Sequence, residues 1–251
     1  MLDQFYLFIV SLISNIFSAF SGGGAGVIQL PAILFIFNIP FANALSVHKI
    51  ATVALGVGAS IRFLKSVSFD KKFFLQMILV GGPAVILGAQ YIYYLNDTVA
   101  RLLLGLFIIG ISIYSFISKD HGVIEQQYKP TLKNNFLGYI LIFVIGFTNG
   151  SLSAGTGLLF TICMVSWYGM DYKKAIAYTL IIVGLFYNAI GAITLAMYVD
   201  IDWNILPALL LGSLIGGYVG AHISLSKDSR TIKIVYQIVT LLVGAKLVLY
   251  P

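Results

Sequence analysis

Two adjacent ionisable residues, His48 and Lys49, lie within the apolar segment ANALSVHKIATVALGVGASIRF and are the side chains best placed for chemistry. An ammonium group so deep in an apolar segment is costly to bury, so Lys49 predicts a functional contact with a negative group. The alternative is that the side chain snorkels to the outer surface. On a helix, His48 and Lys49 point about 100° apart, so both cannot squarely face one ligand. His48 is expected to relay a proton or, more simply, to hydrogen-bond a neighbouring helix.

Two runs of small residues interrupt the apolar sequence, SGGGAG at 21–26 and SLSAGTG at 151–157. Glycine lets the backbone turn and lets another chain or a ligand approach closely. A new helix is predicted after each break, near Val27 and near Leu158. Its first amides carry the positive end of the helix dipole, which favours an anion. The alternative is that the glycines only bring neighbouring helices together.

The predicted substrate-binding residues belong to the two breaks or are polar residues in the adjoining segments. Gln29 and Asn149 flank the breaks, and Asn188 needs polar partners in its apolar segment. The single cysteine and the absence of recognisable motifs lead us to predict no catalytic group, metal site or cofactor. The full predicted set is Ser21, Gly22, Gly23, Gly24, Gly26, Gln29, His48, Lys49, Asn149, Ser151, Ser153, Gly155, Thr156, Gly157 and Asn188.

The composition predicts an all-α integral membrane protein that must position these residues within a bilayer. Of the 251 residues, 59% are hydrophobic and 10% are charged, against about 25% charged residues in soluble domains. The net charge of +6 is attributed to cytoplasmic loops, which collect Lys and Arg, and not to nucleic-acid binding.

The two breaks correspond to each other in an internal repeat. A constant offset pairs Gly24 with Gly155, and one inserted residue later pairs Asp70 with Asp202. A register kept over such a length predicts two related halves. We predict a first repeat at 1–118, a linker at 119–135 and a second repeat at 136–251. The predicted segments are 4–20, 27–39, 44–64, 73–94 and 101–117, then 136–148, 157–169, 174–198, 203–224 and 231–249.

Segment length and loop charge together predict that each break is a hairpin. The stretch Gln4–Val47 has no Asp, Glu, Lys or Arg, and as one helix it would run about 66 Å, roughly twice the hydrocarbon thickness. With hairpins, most cations fall on one side, as the positive-inside rule expects. The halves are then inverted, the linker is cytoplasmic and both termini are outside. These cations are Arg62, Lys65, Lys71, Lys72, Lys119, Lys129, Lys133, Lys173, Lys174, Lys227, Arg230 and Lys233.

The two breaks, the segment NALSVHKI and Asn188 together resemble the TauE/SafE family, the sulfite-exporter or toluene-sulfonate uptake permease group. The resemblance covers essentially the whole chain. Many relatives have Asn-Lys in place of His48-Lys49, and a lysine in place of Leu180. The resemblance implies a multi-pass permease of the inner cell membrane for sulfite, organosulfonates or related small anions.

The leading hypothesis is therefore a secondary transporter that moves a small anion by alternating access around the paired breaks. A passive anion channel and, less favoured, an intramembrane enzyme are the alternatives. The enzyme hypothesis lacks a nucleophile and base at recognisable spacing. The expected partners are the small anion and the lipid bilayer, without nucleic acid, and a homodimer is left open.

Overall fold

A computed structural model describes residues 2–117 and 131–226, together with positions 241, 245, 248 and 249. The described residues confirm the predicted all-α architecture. We number the helices in chain order: α1 Leu2–Ser21, α2 Ala25–Phe37, α3 Phe41–Phe63, α4 Lys71–Tyr93, α5 Asp97–Ile117, α6 Leu132–Ser151, α7 Thr156–Ser166, α8 Tyr172–Ala196 and α9 Leu206–Ser226.

Helix length separates the elements that are able to cross a bilayer from two that are not. Among the described residues, five helices are long and apolar enough to span a membrane: α1, α3, α4, α8 and α9. In contrast, α2 has 13 residues and α7 has 11. Their lengths of about 20 Å and 17 Å fall well short of a hydrocarbon core of about 30 Å.

The chain turns back on itself at both glycine breaks, as the sequence predicts. In the first hairpin, Gln29 Nε2 of α2 donates to Ser11 Oγ of α1 at 2.9 Å. In the second, Trp167 Nε1, just after α7, donates to the carbonyl oxygen of Asn134 near the start of α6 at 3.3 Å. The helices after the breaks begin at Ala25 and Thr156, two residues before the predicted starts.

The two halves pack against each other reciprocally. The first helix of the first half, α1, packs along α9, and the first helix of the second half, α6, packs along α4. By the repeat alignment α4 and α9 are equivalent helices. Each half therefore contributes its first helix and the equivalent of α4 to the contact between the halves. The inversion of the halves and the domain division stay predictions. The predicted segment 231–249, apart from four positions, and most of the linker, 119–130, lie outside the described residues, as do Lys119, Lys129, Lys227, Arg230 and Lys233.

Helix α8 contains a wider π-helical section, Leu180–Tyr187, which was not predicted. At its end the N–H of Asn188 reaches the carbonyl oxygen of Val183, five residues earlier. Here α8 crosses α3 closely, because a Cβ added to Gly56 would lie 2.7 Å from the carbonyl carbon of Gly184. Wide turns of this kind often occur at functional sites, and this one ends immediately before Asn188, a predicted site residue.

Candidate functional site

The two breaks are in direct contact inside the protein. Gly22, Gly23 and Gly24 have φ values of 83°, 137° and 118°, a region that residues with a side chain rarely adopt. A Cβ added to Gly23 would lie 2.7 Å from Gly157 Cα. Thr161 Oγ1 of α7 donates to the Gly22 carbonyl oxygen at 2.6 Å. The glycines therefore do both things considered from the sequence: they turn the chain and let two backbones touch.

A small polar cavity lies where the breaks meet. Its volume is about 30 Å³, which is room for about two water molecules. The break residues and the middle of α3 and α8 form its wall. The lining residues are Ser18, Gly23, Gly24, Ala25, Gly26, His48, Thr52, Leu55, Asn149, Ser153, Thr156, Gly157, Thr179, Leu180, Val183, Gly184 and Asn188.

The helices that begin at the cavity lack the side-chain caps found at other helices. Asp70 caps α4 by accepting from the N–H groups of Lys72 and Phe73. By contrast, α2 and α7 follow Gly24 and Gly155, which have no side chain to cap with. Within the described chain, the N–H groups of Ala25, Gly26 and Gly157 have no acceptor, and all three residues line the cavity. These amides are therefore available to an anion.

Lys49 is completely buried and its ammonium is held by neutral oxygens only. Nζ donates to the backbone oxygen of Asn149 at 2.7 Å, to Asn149 Oδ1 at 3.2 Å and to Asn188 Oδ1 at 3.3 Å. All three ammonium hydrogens thus have an acceptor. No carboxylate of the described residues pairs with it. An ammonium buried without an opposite charge is unfavourable, so this position favours a negative charge nearby.

The two asparagines join Lys49 to the second break. Asn149 Nδ2 donates to Thr156 Oγ1 at 3.0 Å and to Asn188 Oδ1 at 3.3 Å. Thr156 Oγ1 in turn donates to the Ser153 carbonyl oxygen at 2.7 Å. Because the amide oxygens face Lys49, the amide nitrogens are directed away from it. The lysine therefore orients polar groups that line the cavity.

His48 belongs to a separate buried polar network. Its Nδ1 lies 2.7 Å from Gln29 Oε1. Gln29 Nε2 contacts Ser11 Oγ at 2.9 Å and Ser213 Oγ at 3.3 Å. Asn15 Nδ2 also donates to Ser213 Oγ, at 3.0 Å. This network connects the cavity wall to the interface of α1 with α9.

The structure brings most of the predicted site residues to the cavity. Nine of them line it: Gly23, Gly24, Gly26, His48, Asn149, Ser153, Thr156, Gly157 and Asn188. Six do not: Ser21, Gly22, Gln29, Lys49, Ser151 and Gly155.

Four of the six residues outside the lining make side-chain hydrogen bonds elsewhere in the protein. Ser21 and Ser151 donate to carbonyl oxygens in their own helices. Gln29 and Lys49 lie behind the wall, where they hold residues that form it. Their positions leave a wall of backbone amides, hydroxyl and amide side chains, one imidazole and three apolar side chains of α3 and α8.

The sequence interpretation missed Ser11, Asn15 and Ser213, which are fully buried and hydrogen-bonded to one another. A signal for the first two was present. Ser11, Asn15 and Ser18 recur at spacings of four and three in α1, which places them on one helix face. Nothing local indicates their partner Ser213, because it is about 200 residues away in the sequence.

Several membrane-length helices around an internal polar site at paired helix breaks define a multi-pass membrane protein with the architecture of a transporter. The chain belongs to the TauE/SafE family, since the family model described as sulfite exporter TauE/SafE matches residues 7–247. The protein is accordingly a membrane transporter and not an enzyme.

Similar proteins are described as probable membrane transporter proteins. A probable membrane transporter protein of Sinorhizobium sp is 26% identical over 98% of this chain and 92% of its own length. The probable membrane transporter protein YunE of Bacillus subtilis is 22% identical over 96% of both chains. YfcA of Escherichia coli K12, also a probable membrane transporter protein, is 26% identical over 96% of this chain and 88% of its own. No solved structure matches the chain.

Proposed function

We propose that this membrane transporter moves a small anion, such as sulfite, an organosulfonate or a related sulfur-containing anion, by alternating access around the two breaks. The observation that carries the proposal is the burial of Lys49 among neutral oxygens, without a carboxylate partner in the described chain. A small anion in the adjoining cavity supplies the missing negative charge. The binding free energy then includes the relief of an uncompensated buried cation.

The wall of the cavity supports a compact, several-oxygen anion over a cation or an apolar solute. The N–H groups of Ala25, Gly26 and Gly157 are available as donors, and the hydroxyl-bearing Ser18 also lines the cavity. Backbone donors at two helix N-termini suit sulfonate or sulfite oxygens, which accept several hydrogen bonds at once. The small volume favours a headgroup of a few heavy atoms.

The place where the two hairpins meet supports the proposal of alternating access. The Gly23–Gly157 contact joins the tips of two hairpins from different halves. Rocking of one half against the other around this point opens the cavity first to one side and then to the other. We place the protein in the inner cell membrane with a cytoplasmic linker and both termini outside. Cysteine labelling at Lys65 and Lys173 tests this topology, since the proposal places both on the cytoplasmic side.

Counterflow in proteoliposomes tests the transport mechanism. Vesicles loaded with unlabelled sulfite are expected to accumulate labelled sulfite transiently, and the initial rate is expected to saturate with external concentration. Flux that rises linearly and shows no counterflow would identify a passive channel instead. Vesicles with the Lys65→Gln variant, changed at an exposed lysine just after α3, should show the same counterflow as the wild type.

A thermal-shift screen of the purified protein narrows the substrate. Sulfite, methanesulfonate, toluenesulfonate, sulfate and acetate are compared at equal ionic strength. A ligand that binds the native state raises the unfolding temperature, and at equal concentration a tighter ligand raises it more. We expect the largest rise from a sulfur-containing monoanion or sulfite. A rise from acetate alone would move the proposal to carboxylates.

A further inference from the structure

We propose that His48 accepts one proton at Nε2 when the anion binds, so that the transporter carries the anion and a proton together. This inference rests on the proposed anion transport and adds the coupling ion to it. The hydrogen-bond directions that support it are set far from the cavity, where Ser11 of α1 contacts Leu209 of α9.

The hydroxyl of Ser11 determines the orientation of Gln29. Ser11 Oγ donates its single hydrogen to the Leu209 carbonyl oxygen at 2.7 Å, and a carbonyl oxygen only accepts. Ser11 Oγ must therefore accept from Gln29, whose side-chain nitrogen lies 2.9 Å away. This places the nitrogen of the Gln29 amide toward the serines and its oxygen toward His48.

The orientation of Gln29 determines the tautomer of His48. Gln29 Oε1 lies 2.7 Å from His48 Nδ1 and is an acceptor, so Nδ1 must carry a hydrogen. In a neutral imidazole the other nitrogen, Nε2, then has a lone pair and no hydrogen. Gln29 thus acts as a positioning residue that presents a proton acceptor on the far side of the ring.

The open nitrogen lies beside the amides of the first break. His48 lines the cavity, and a Cβ added to Gly26 would lie 3.0 Å from Nε2. In the described part of the chain, no residue hydrogen-bonds to Nε2, although the residue is only 1% exposed. An acceptor lone pair is therefore directed into a space whose other groups favour a negative ligand.

A bare lone pair repels the oxygens of a bound anion, whereas an Nε2–H group donates to them. When no anion is bound, the neighbouring Lys49 opposes a second positive charge on His48. The described residues contribute no other titratable group to the cavity lining, and Gln29, Ser11 and Ser213 are neutral. A bound anion removes this opposition, so anion binding and protonation of His48 favour each other.

The proton balance of one cycle is simple. The proton reaches Nε2 from water on the entry side, or arrives on the acid form of the anion, and leaves to water when the anion is released. Methanesulfonate separates these sources because it brings no proton of its own. Its binding to the protein must therefore take up a proton from the solution, whereas an acid such as bisulfite is able to deliver one.

Titration calorimetry of the full chain with methanesulfonate, in buffers of different ionisation enthalpy, counts the protons. Wild-type protein is expected to take up about one proton per anion, and the affinity is expected to strengthen by up to about tenfold per unit fall in pH while free His48 is neutral and bound His48 is protonated. His48→Gln should take up about none. His222→Gln, a change at an exposed histidine bonded to Arg62, should match the wild type.

A second variant tests the positioning role. Gln29→Met removes the acceptor that keeps the hydrogen on Nδ1, so neutral His48 is free to carry it on Nε2 and donate to the anion. We expect this variant to bind methanesulfonate while proton uptake falls toward zero. A residue with a purely structural role would change the affinity and leave the proton count unchanged.

The outcomes separate this inference from the proposed function. If neither methanesulfonate nor sulfite binds the wild-type protein, the anion proposal itself fails. If wild-type protein binds methanesulfonate without proton uptake, anion transport stands and the role of His48 is overturned. Undiminished proton uptake by folded His48→Gln would also overturn it. The wild-type proton count is decisive even where a variant does not fold.

Discussion

His48 and Lys49 are adjacent in the sequence but connect to opposite halves of the site. Lys49 extends to Asn149 and Asn188, and through them to the second break. His48 extends to Gln29 and the α1–α9 interface, next to the first break. Both side chains are buried. Successive helix positions point about 100° apart, so two adjacent side chains of α3 contact residues of both hairpins.

The two networks differ in what they supply. The Lys49 network is built on a charge held by neutral oxygens, so it sets the electrostatic preference of the cavity. The His48 network contains hydroxyls and an amide whose hydrogen-bond directions are fixed, so it sets which ring nitrogen faces the cavity. Charge and proton position are therefore controlled separately, from two different faces of one helix.

The largest effect is expected at the Gly23–Gly157 contact, where the two breaks touch. Gly23→Ala adds a methyl group 2.7 Å from Gly157 Cα at a residue with φ of 137°. We expect a loss of on the order of 3 kcal/mol in the free energy of unfolding, together with loss of transport. Thermal unfolding and flux measure these effects.

Gly110→Ala is the matched control for that change. A Cβ at Gly110, in α5, meets nothing within 4 Å, so its unfolding temperature and flux should match those of the wild type. Normal transport by Gly23→Ala would contradict the close contact between the breaks, and with it the shared cavity.

A smaller effect, confined to the Lys49 network, is expected from Gly191→Ala. The added methyl group would lie 2.8 Å from Lys49 Cδ and 2.9 Å from Cε, so the lysine must shift. We expect anion affinity to fall about tenfold, which corresponds to about 1.4 kcal/mol. Equilibrium binding measures it.

Gly82→Ala provides the comparison for Gly191→Ala. Its methyl group would meet one flexible atom, Ile190 Cδ1, at 3.1 Å, so affinity should change little. Equal affinity in the two variants would show that the position of Lys49 does not matter for binding.

The smallest effect is expected from Ser213→Ala, at the far end of the His48 network. The substitution removes the oxygen that accepts from Asn15 at 3.0 Å and from Gln29 at 3.3 Å. Gln29 keeps its shorter bond to Ser11, so His48 keeps its orientation. We expect a loss of about 1 kcal/mol in stability and an unchanged proton count. A proton count that falls to zero would show that Ser213, and not Ser11, orients Gln29.

Much of the fold was predictable because membrane burial leaves strong marks in a sequence. The uncharged stretch Gln4–Val47 is too long for one crossing, and its glycines locate the turn. The π-helical section Leu180–Tyr187 was not predictable, because LIIVGLFY contains no residue that distinguishes a wide turn from an ordinary one. The close approach of Gly56 to Gly184 depends on tertiary packing that no local pattern encodes.

The site was predictable at the level of residue types but not of contacts. Lys49 and Asn188 were predictable as site residues because polar groups in apolar helices need partners. That Lys49 uses the backbone oxygen of Asn149 is not predictable, because a backbone acceptor leaves no signal in the sequence. Direct contact between Lys49 and the cavity was expected, whereas the structure places Asn149 and Asn188 in the lining and Lys49 behind them.

Equilibrium binding of radiolabelled sulfite to purified wild-type and Lys49→Gln protein tests the central claim most directly. We expect one saturable site per chain in the wild type and an affinity about 30-fold weaker in the variant, a loss of about 2 kcal/mol. Lys65→Gln, the exposed control, should bind like the wild type. Equal affinity in wild-type and folded Lys49→Gln protein would contradict the claim that this buried cation makes the cavity an anion site.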